Sequence, residues 1–224
     1  MDQGTLSRLS ALTENGKVNR ALGRGQDGVE EVTAQALAEG HSPAAVLEAL
    51  TAGMAVVGDR FAAGKAFVPN MLLAARAMSA GMALLKPFFD SGEVQRKGVF
   101  IIGTVFGDLH DIGKNLVAMA AEGAGWSVVD LGVDIQPEGF TAALDANPGA
   151  VVGLSALLTT TMGNMEPVIQ AIRRARPDTR VIVGGAPLTR EFADKIGADG
   201  YSSNPAGAVE LLAGFAAEPS GGAL

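Results

Sequence analysis

Beyond Asp90-Ser91-Gly92-Glu93 the hydrophobic pattern changes its period, and that change constrains the fold more than any other feature of the chain. Short runs rich in β-branched residues follow: Val99 to Thr104, Ser127 to Leu131, Ala150 to Leu154, Arg180 to Gly184 and, more weakly, Gly200 to Ser202. Between them lie segments of helical spacing near Ile112 to Gly123, Pro137 to Leu144, Met162 to Ala175, Thr189 to Ile196 and Ala206 to Ala216. Continuous apolar runs alternating with helices give a parallel sheet covered by helices on both faces. In such a doubly wound sheet a ligand sits beyond the carboxyl ends of the strands, where the strand order reverses. For the five-stranded order 2-1-3-4-5 that point lies between strands one and three, so the loops after Thr104 and Leu154 are where function is expected.

The chain up to about Phe89 reads differently. Apolar residues return at Val46, Leu50, Met54, Val57 and Phe61, a spacing that lays them on one helical face. Ser42 followed by Pro43 fits an N-cap and first-turn proline, and Gly40 fits the end of a preceding helix from Val29 to Glu39. A long helix runs from about Pro69 through Met71, Leu72, Ala75, Met78, Met82 and Leu85, with Pro87 near its end, and a weaker one spans Leu6 to Leu12. The expected organisation is a four-helix region over residues 1–91, a linker over 92–97, an α/β domain over 98–217 and a frayed tail over 218–224.

Composition narrows the function classes. With 48% hydrophobic and 18% charged residues, this is the mix of a folded chain. A net charge of -7, with 17 scattered basic residues, argues against a nucleic-acid partner, which clustered Lys and Arg would neutralise. The absence of cysteine excludes disulfides, thiolate metal sites and iron-sulfur clusters. The start MDQGTLSRLSALTENGK lacks the apolar run of a signal peptide, and no stretch reaches the uninterrupted apolar length of a membrane span, so a cytoplasmic protein without a membrane partner is expected.

The loop after the first strand reads Gly107-Asp108-Leu109-His110-Asp111-Ile112-Gly113-Lys114-Asn115, a histidine flanked by two carboxylates. A carboxylate that accepts a hydrogen bond from one ring nitrogen fixes the tautomer and makes the other nitrogen a better metal ligand, and Asp108 is spaced to do so. A solvated loop histidine beside a helix start explains the same residues. After strand three, Ser155-Ala156-Leu157-Leu158-Thr159-Thr160-Thr161 offers hydroxyls to Asp108 or to a ligand, or simply helix capping. Gly184-Gly185 permits close approach of backbone or ligand, or an ordinary tight turn.

Together these strings carry a family resemblance. GTVFGDLHDIGKNLV holds the D-x-H-x-x-G signature of B12-binding domains as Asp108, His110 and Gly113, followed by GLSALLTTTM around Ser155, VIVGGAPLT around Gly184 and Gly185, and GADGY around Tyr201. The helical half, through VVGDRFAAGKAFVPNMLLAARAM, resembles the cap domain over the corrinoid in methionine synthase and in corrinoid proteins of methyltransferase systems. The resemblance implies an N-terminal four-helix bundle cap followed by a flavodoxin-like, Rossmann-type α/β domain with a five-stranded parallel sheet. It implies a base-off cobalamin, as methylcobalamin, cob(I)alamin or hydroxocobalamin, with His110 as lower ligand of the cobalt and Asp108 as its partner.

The resemblance extends residue by residue. Gly107, Leu109, Asp111, Ile112 and Gly113 belong to the matching loop, with Gly113 letting the chain turn close to the ligand. Thr161 matches the position that completes the hydrogen-bonded chain, although the family has serine there. Ser155, Leu157 and Thr159, with Gly184, Gly185, Ala186 and Tyr201, match the pocket for the cofactor's tail. Phe61 and Val68 match residues that shield the upper face, though an apolar core stripe explains them equally. The implied role is a carrier of methyl groups between a substrate-specific methyltransferase and an acceptor methyltransferase using folate or thiol, with a reductive activase as a further partner. A hinge between Asp90 and Lys97 would let the cap move aside. A B12-dependent sensor and the small subunit of an adenosylcobalamin mutase share the signature. The first would bring a DNA-binding domain, and the second has no call for the helical half.

Overall fold

The pattern along the chain is met by a fold in two parts. The computed structural model describes residues 3–19 and 27–217, so the expected frayed tail lies outside the described residues. The chain divides into two compact units, one of residues 1–96 with 123–125 and one of the remainder. Among the described residues the first unit holds α1 (Gln3–Glu14), α2 (Val29–Ala38), α3 (Pro43–Ala62) and α4 (Val68–Asp90). The Ser42 hydroxyl accepts from the Ala45 amide at 3.2 Å and Pro43 takes the first turn, so α3 starts where its capping residues dictate. Val46, Leu50, Met54 and Val57 are buried along α3, against Met71, Ala74, Ala75, Met78 and Leu85 of α4. Phe61, at the end of the stripe, and Val68, at the start of α4, are only half-buried.

By length and composition alone α4, with 23 residues, is long and apolar enough to cross a membrane. Isolated polar residues such as Asn70 and Arg76 interrupt its apolar run, which is why no uninterrupted span stands out in the sequence. Seven of its residues, from Met71 to Leu85, are buried within the helical unit, while Leu72, Leu73 and Leu84 are exposed.

The second unit runs β1 (Val99–Thr104), α5 (Ile112–Gly123), β2 (Ser127–Asp130), α6 (Pro137–Ala146), β3 (Val151–Ser155), α7 (Met165–Ala175), β4 (Val181–Gly184), α8 (Arg190–Lys195), β5 (Gly200–Ser202) and α9 (Pro205–Ala217). The strands form one parallel sheet in the order β2-β1-β3-β4-β5, as the alternation of runs and helices predicts. Its core joins Ile101, Val152, Leu154, Val181 and Val183 to Phe140, Leu144, Met165, Ile169 and Ile172 from the helices. In this unit strand and helix ends fall within two residues of expectation, except before α7. There Met162–Asn164 form a separate 3-10 turn, because the Asn164 amide donates to Thr161 three residues back, at 2.9 Å, instead of four.

Register brings the ends of the strands into line. Thr104 pairs with Ser155, Ser155 with Gly184, and Gly184 with Ser202, so four carboxyl ends form one row across the sheet. The reversal in strand order falls between β1 and β3, and the segments leaving Thr104 and Ser155 therefore rise side by side.

Candidate functional site

The chain leaves β1 through a turn that re-aims it before α5 begins. Val105 donates its amide to the Ser155 carbonyl at 3.0 Å, and the Asp108 amide donates back to Val105 at 3.2 Å. Between them Gly107 takes φ +81°, a left-handed conformation that a side chain would make costly. This turn drives the Asp108 side chain inward until it is fully buried, while His110 remains half-exposed.

A buried carboxylate is tolerable only when its oxygens are satisfied. Asp108 Oδ1 accepts from the His110 amide at 3.0 Å and from His110 Nδ1 at 2.8 Å. Its Oδ2 accepts from the Leu157 amide at 2.8 Å and from the Thr161 hydroxyl at 2.6 Å. Burial pushes the Asp108 carboxyl up, but the Thr161 hydroxyl, the Leu157 and His110 amides and the His110 ring outweigh it and hold the group well below the usual carboxylate range. The carboxylate is therefore ionised at neutral pH. With Nδ1 committed as a donor to it, Nε2 is the ring nitrogen that carries the lone pair.

Around the imidazole stand apolar side chains that water meets directly: Leu109 and Ile112 are 71% and 68% exposed, and Phe106, Leu157 and Leu158 are also exposed. Among the described residues no three of His, Cys, Asp and Glu gather to hold an ion by themselves. A metal bound at His110 must bring its other ligands with it.

Sequence similarity supplies the kind of group. The B12 binding domain family matches residues 98–210, and a second B12 binding domain family matches residues 18–86. The chain belongs to the B12-binding corrinoid proteins. Trimethylamine corrinoid protein 1 of Methanosarcina mazei is 41% identical over 187 residues, covering 81% of this chain and 87% of the relative. Dimethylamine corrinoid protein 2 of Methanosarcina acetivorans is 42% identical over 180 residues, covering 77% and 83%. The structure of the methanol:cobalamin methyltransferase complex MtaBC from Methanosarcina barkeri superposes with a TM-score of 0.82 at 27% identity, covering 98% of this chain and 82% of that one. A cobalamin-binding protein from Desulfitobacterium hafniense DCB-2 superposes with a TM-score of 0.73 at 30% identity, covering 95% and 97%. Cobalamin is the cofactor of this corrinoid protein.

The corrinoid protein distributes its expected site residues unevenly. Gly107, Asp108, Leu109 and His110 share the loop after β1, and Leu157 and Thr161 meet them from the loop after β3. Asp111 turns away, accepting from Asn115 Nδ2 at 3.1 Å, so only one of the two flanking carboxylates serves the histidine. Gly113 lies inside α5 with no protein atom near the place of a Cβ, and the left-handed turn of the loop is at Gly107. Of the hydroxyls after β3, Thr161 does not cap the turn it precedes and bonds Asp108 instead, while Thr159 is exposed and Ser155 closes β3.

Farther along the row, Gly184 ends β4. Gly185, at φ +144°, lets the chain pass so close that a Cβ would lie 1.8 Å from the Ala156 carbonyl oxygen. Its missing side chain is thus taken up by protein backbone, and Ala186 beyond it is exposed. Tyr201 packs at the edge of the sheet core and donates its hydroxyl to the Leu188 carbonyl at 2.9 Å. Phe61 and Val68 belong to the helical unit.

Three supports of the loop are absent from the sequence reading. Thr104 is fully buried and donates its hydroxyl to the His110 carbonyl at 2.9 Å. Asn164 Nδ2 donates to the Phe106 carbonyl at 2.8 Å. Asp134, after β2, accepts from the Gly107 amide at 2.7 Å. Nothing in spacing marks them, because each acts on backbone brought near only by folding.

Proposed function

We propose that the protein carries methyl groups as the corrinoid subunit of a methyltransferase system, with His110 Nε2 as lower axial ligand to a base-off cobalamin. The observation that carries this reading is the chain from Thr161 through Asp108 to His110, which fixes the imidazole tautomer and leaves the ring half-exposed among apolar side chains. Cobalamin, when bound, supplies a cobalt that can take up and give away a methyl group. The protein's part is to hold an imidazole ready as a ligand, oriented by a carboxylate that stays charged. Leu109, Ile112 and Leu157, exposed in the protein alone, would keep water from the group that they cover.

On this reading Ser155, Leu157, Thr159, Gly184, Gly185, Ala186 and Tyr201 line the space for the cofactor's tail, and Phe61 and Val68 guard its upper face. The helical cap is assigned to residues 1–91 and the cofactor domain to 98–217, joined by a hinge at 92–97. The donor side is a substrate-specific methyltransferase, in keeping with the trimethylamine and dimethylamine corrinoid relatives and the methanol complex. A folate- or thiol-methylating enzyme takes the group, a reductive activase maintains the cofactor, and the compartment is the cytoplasm.

The test uses the full chain loaded with cobalamin and reduced with titanium(III). Purified methyltransferases for trimethylamine, dimethylamine and methanol are added in turn, each with its substrate, and the visible spectrum is followed. Methylation with one of them supports the carrier reading. Methylation by iodomethane but by none of the enzymes would overturn it for these substrates.

A further inference from the structure

The loop that presents His110 is clamped from the β2 side by a single residue, and that residue bears an unusual backbone conformation. Asp134 stands at φ +60°, and among the described residues it alone, glycine aside, has a positive φ. A side chain in the left-handed region is costly except for the short polar types, and such positions persist where their surroundings require them. At Asp134 two hydrogen bonds supply the requirement. Its Oδ1 accepts from the Gly107 amide at 2.7 Å, and its own amide donates to the Asp108 carbonyl at 3.1 Å.

Those two bonds hold the two outward groups of the Gly107–Asp108 unit, the part of the chain that turns the Asp108 carboxylate inward. Asp108 can accept from His110 Nδ1 only with its backbone in that orientation, since four donors converge on it from fixed directions. Asp134 is exposed and contributes no apolar packing, so its side chain acts on the loop through that one acceptor oxygen. The chain on both sides of it is anchored to β1, with the Thr104 amide donating to Gly132 and the Ile135 amide to Thr104, both at 3.0 Å. The clamp is thus tied to the same strand end that carries the loop.

We infer that Asp134 is a positioning residue for the axial histidine: it fixes the Gly107–Asp108 turn, and through it the orientation of the His110 imidazole toward cobalt. This rests on the proposed ligation by His110. The acceptor oxygen matters here, and the charge does not, which sets the order of variants. Asp134→Asn keeps an acceptor and tolerates the left-handed backbone, Asp134→Gly keeps the backbone and loses the acceptor, and Asp134→Ala loses both.

The experiment measures two things on the full chain. In the protein without cofactor, amide exchange at Gly107 reports the clamp itself. After loading with hydroxocobalamin, the visible spectrum reports how much cobalt is histidine-ligated, and titration gives the affinity. Asn is expected to match the parent within about twofold, while Gly and Ala expose the Gly107 amide and weaken cobalamin binding by up to about 10-fold, the lower end of the range for groups bonded directly to a metal ligand, since Asp134 acts one bond farther out, through Asp108. An Asn variant as weak as Ala, or a Gly variant equal to the parent, would overturn the inference. Thermal unfolding separates misfolded variants from these outcomes. A parent spectrum unchanged by His110→Ala would defeat the ligation reading instead, and Gly107 exchange would still decide whether Asp134 holds the loop.

Discussion

The loops after β1 and after β3 meet at the same carboxylate, yet they contribute to it in different ways. The β1 loop supplies the chemically distinctive groups, Asp108 and His110, and holds them by a glycine turn and by bonds from elsewhere to its backbone. The β3 loop supplies one hydroxyl and one main-chain amide, and its remaining hydroxyls point to no part of the network. Residue type therefore matters at nearly every position of the first loop, whereas in the second the path of the backbone matters more. That difference yields a ranking of substitutions.

The largest effect is expected where backbone meets backbone. Gly185→Ala would place a methyl group on the Ala156 carbonyl, beside the β3 loop, and the forced shift is expected to cost about 4 kcal/mol or more. Trp126, the one tryptophan in the chain and a buried residue of the sheet unit, reports this through the urea unfolding midpoint. A Gly185→Ala protein as stable as the parent would show that the β3 loop yields easily.

Next comes Asp108→Asn in the cofactor-free protein, which confronts four donors with an amide and is expected to cost about 2–3 kcal/mol at pH 7. Because the folded carboxyl sits below its ordinary value near 3.8, its contribution is fully present above that pH and is lost as the pH falls through the folded value. The stability gap between parent and Asp108→Asn should accordingly not narrow between pH 7 and about 5, and should narrow only below about 4. A gap that closes near pH 6 would contradict the assignment of the stabilisation to this carboxylate.

The smallest effects sharpen the contrast within the β3 loop. Thr161→Val removes the donor to a buried oxygen and is expected to cost about 1–2 kcal/mol. Thr159→Val, at an exposed position, should stay within about 0.5 kcal/mol of the parent. Equal costs in urea unfolding would mean that the two hydroxyls are equivalent, against the geometry.

The same contrast explains what was legible in the sequence. Sheet order and strand positions follow from the alternation of apolar runs with helices, because burial on both faces leaves a continuous apolar signature. The Asp108 to His110 bond is visible in the spacing, since both partners lie in one short loop. Thr161 is 53 residues from Asp108, and the family resemblance, more than its neighbourhood of hydroxyls, singles it out from Thr159 and Thr160. Thr104, Asp134 and Asn164 leave no trace, because they bind main-chain atoms, and any residue type offers those. The left-handed turn at Gly107 is not visible either, since sequence displays a glycine without its φ.

The most direct test of the central claim, that His110 held by Asp108 is the cobalt ligand, is the visible absorption spectrum of the protein incubated with hydroxocobalamin and desalted, beside the His110→Ala variant. The account predicts that the parent retains the corrinoid with a histidine-ligated spectrum and that the variant's spectrum shifts to that of cobalt lacking the imidazole. Identical spectra from two folded proteins that both retain the corrinoid would contradict it.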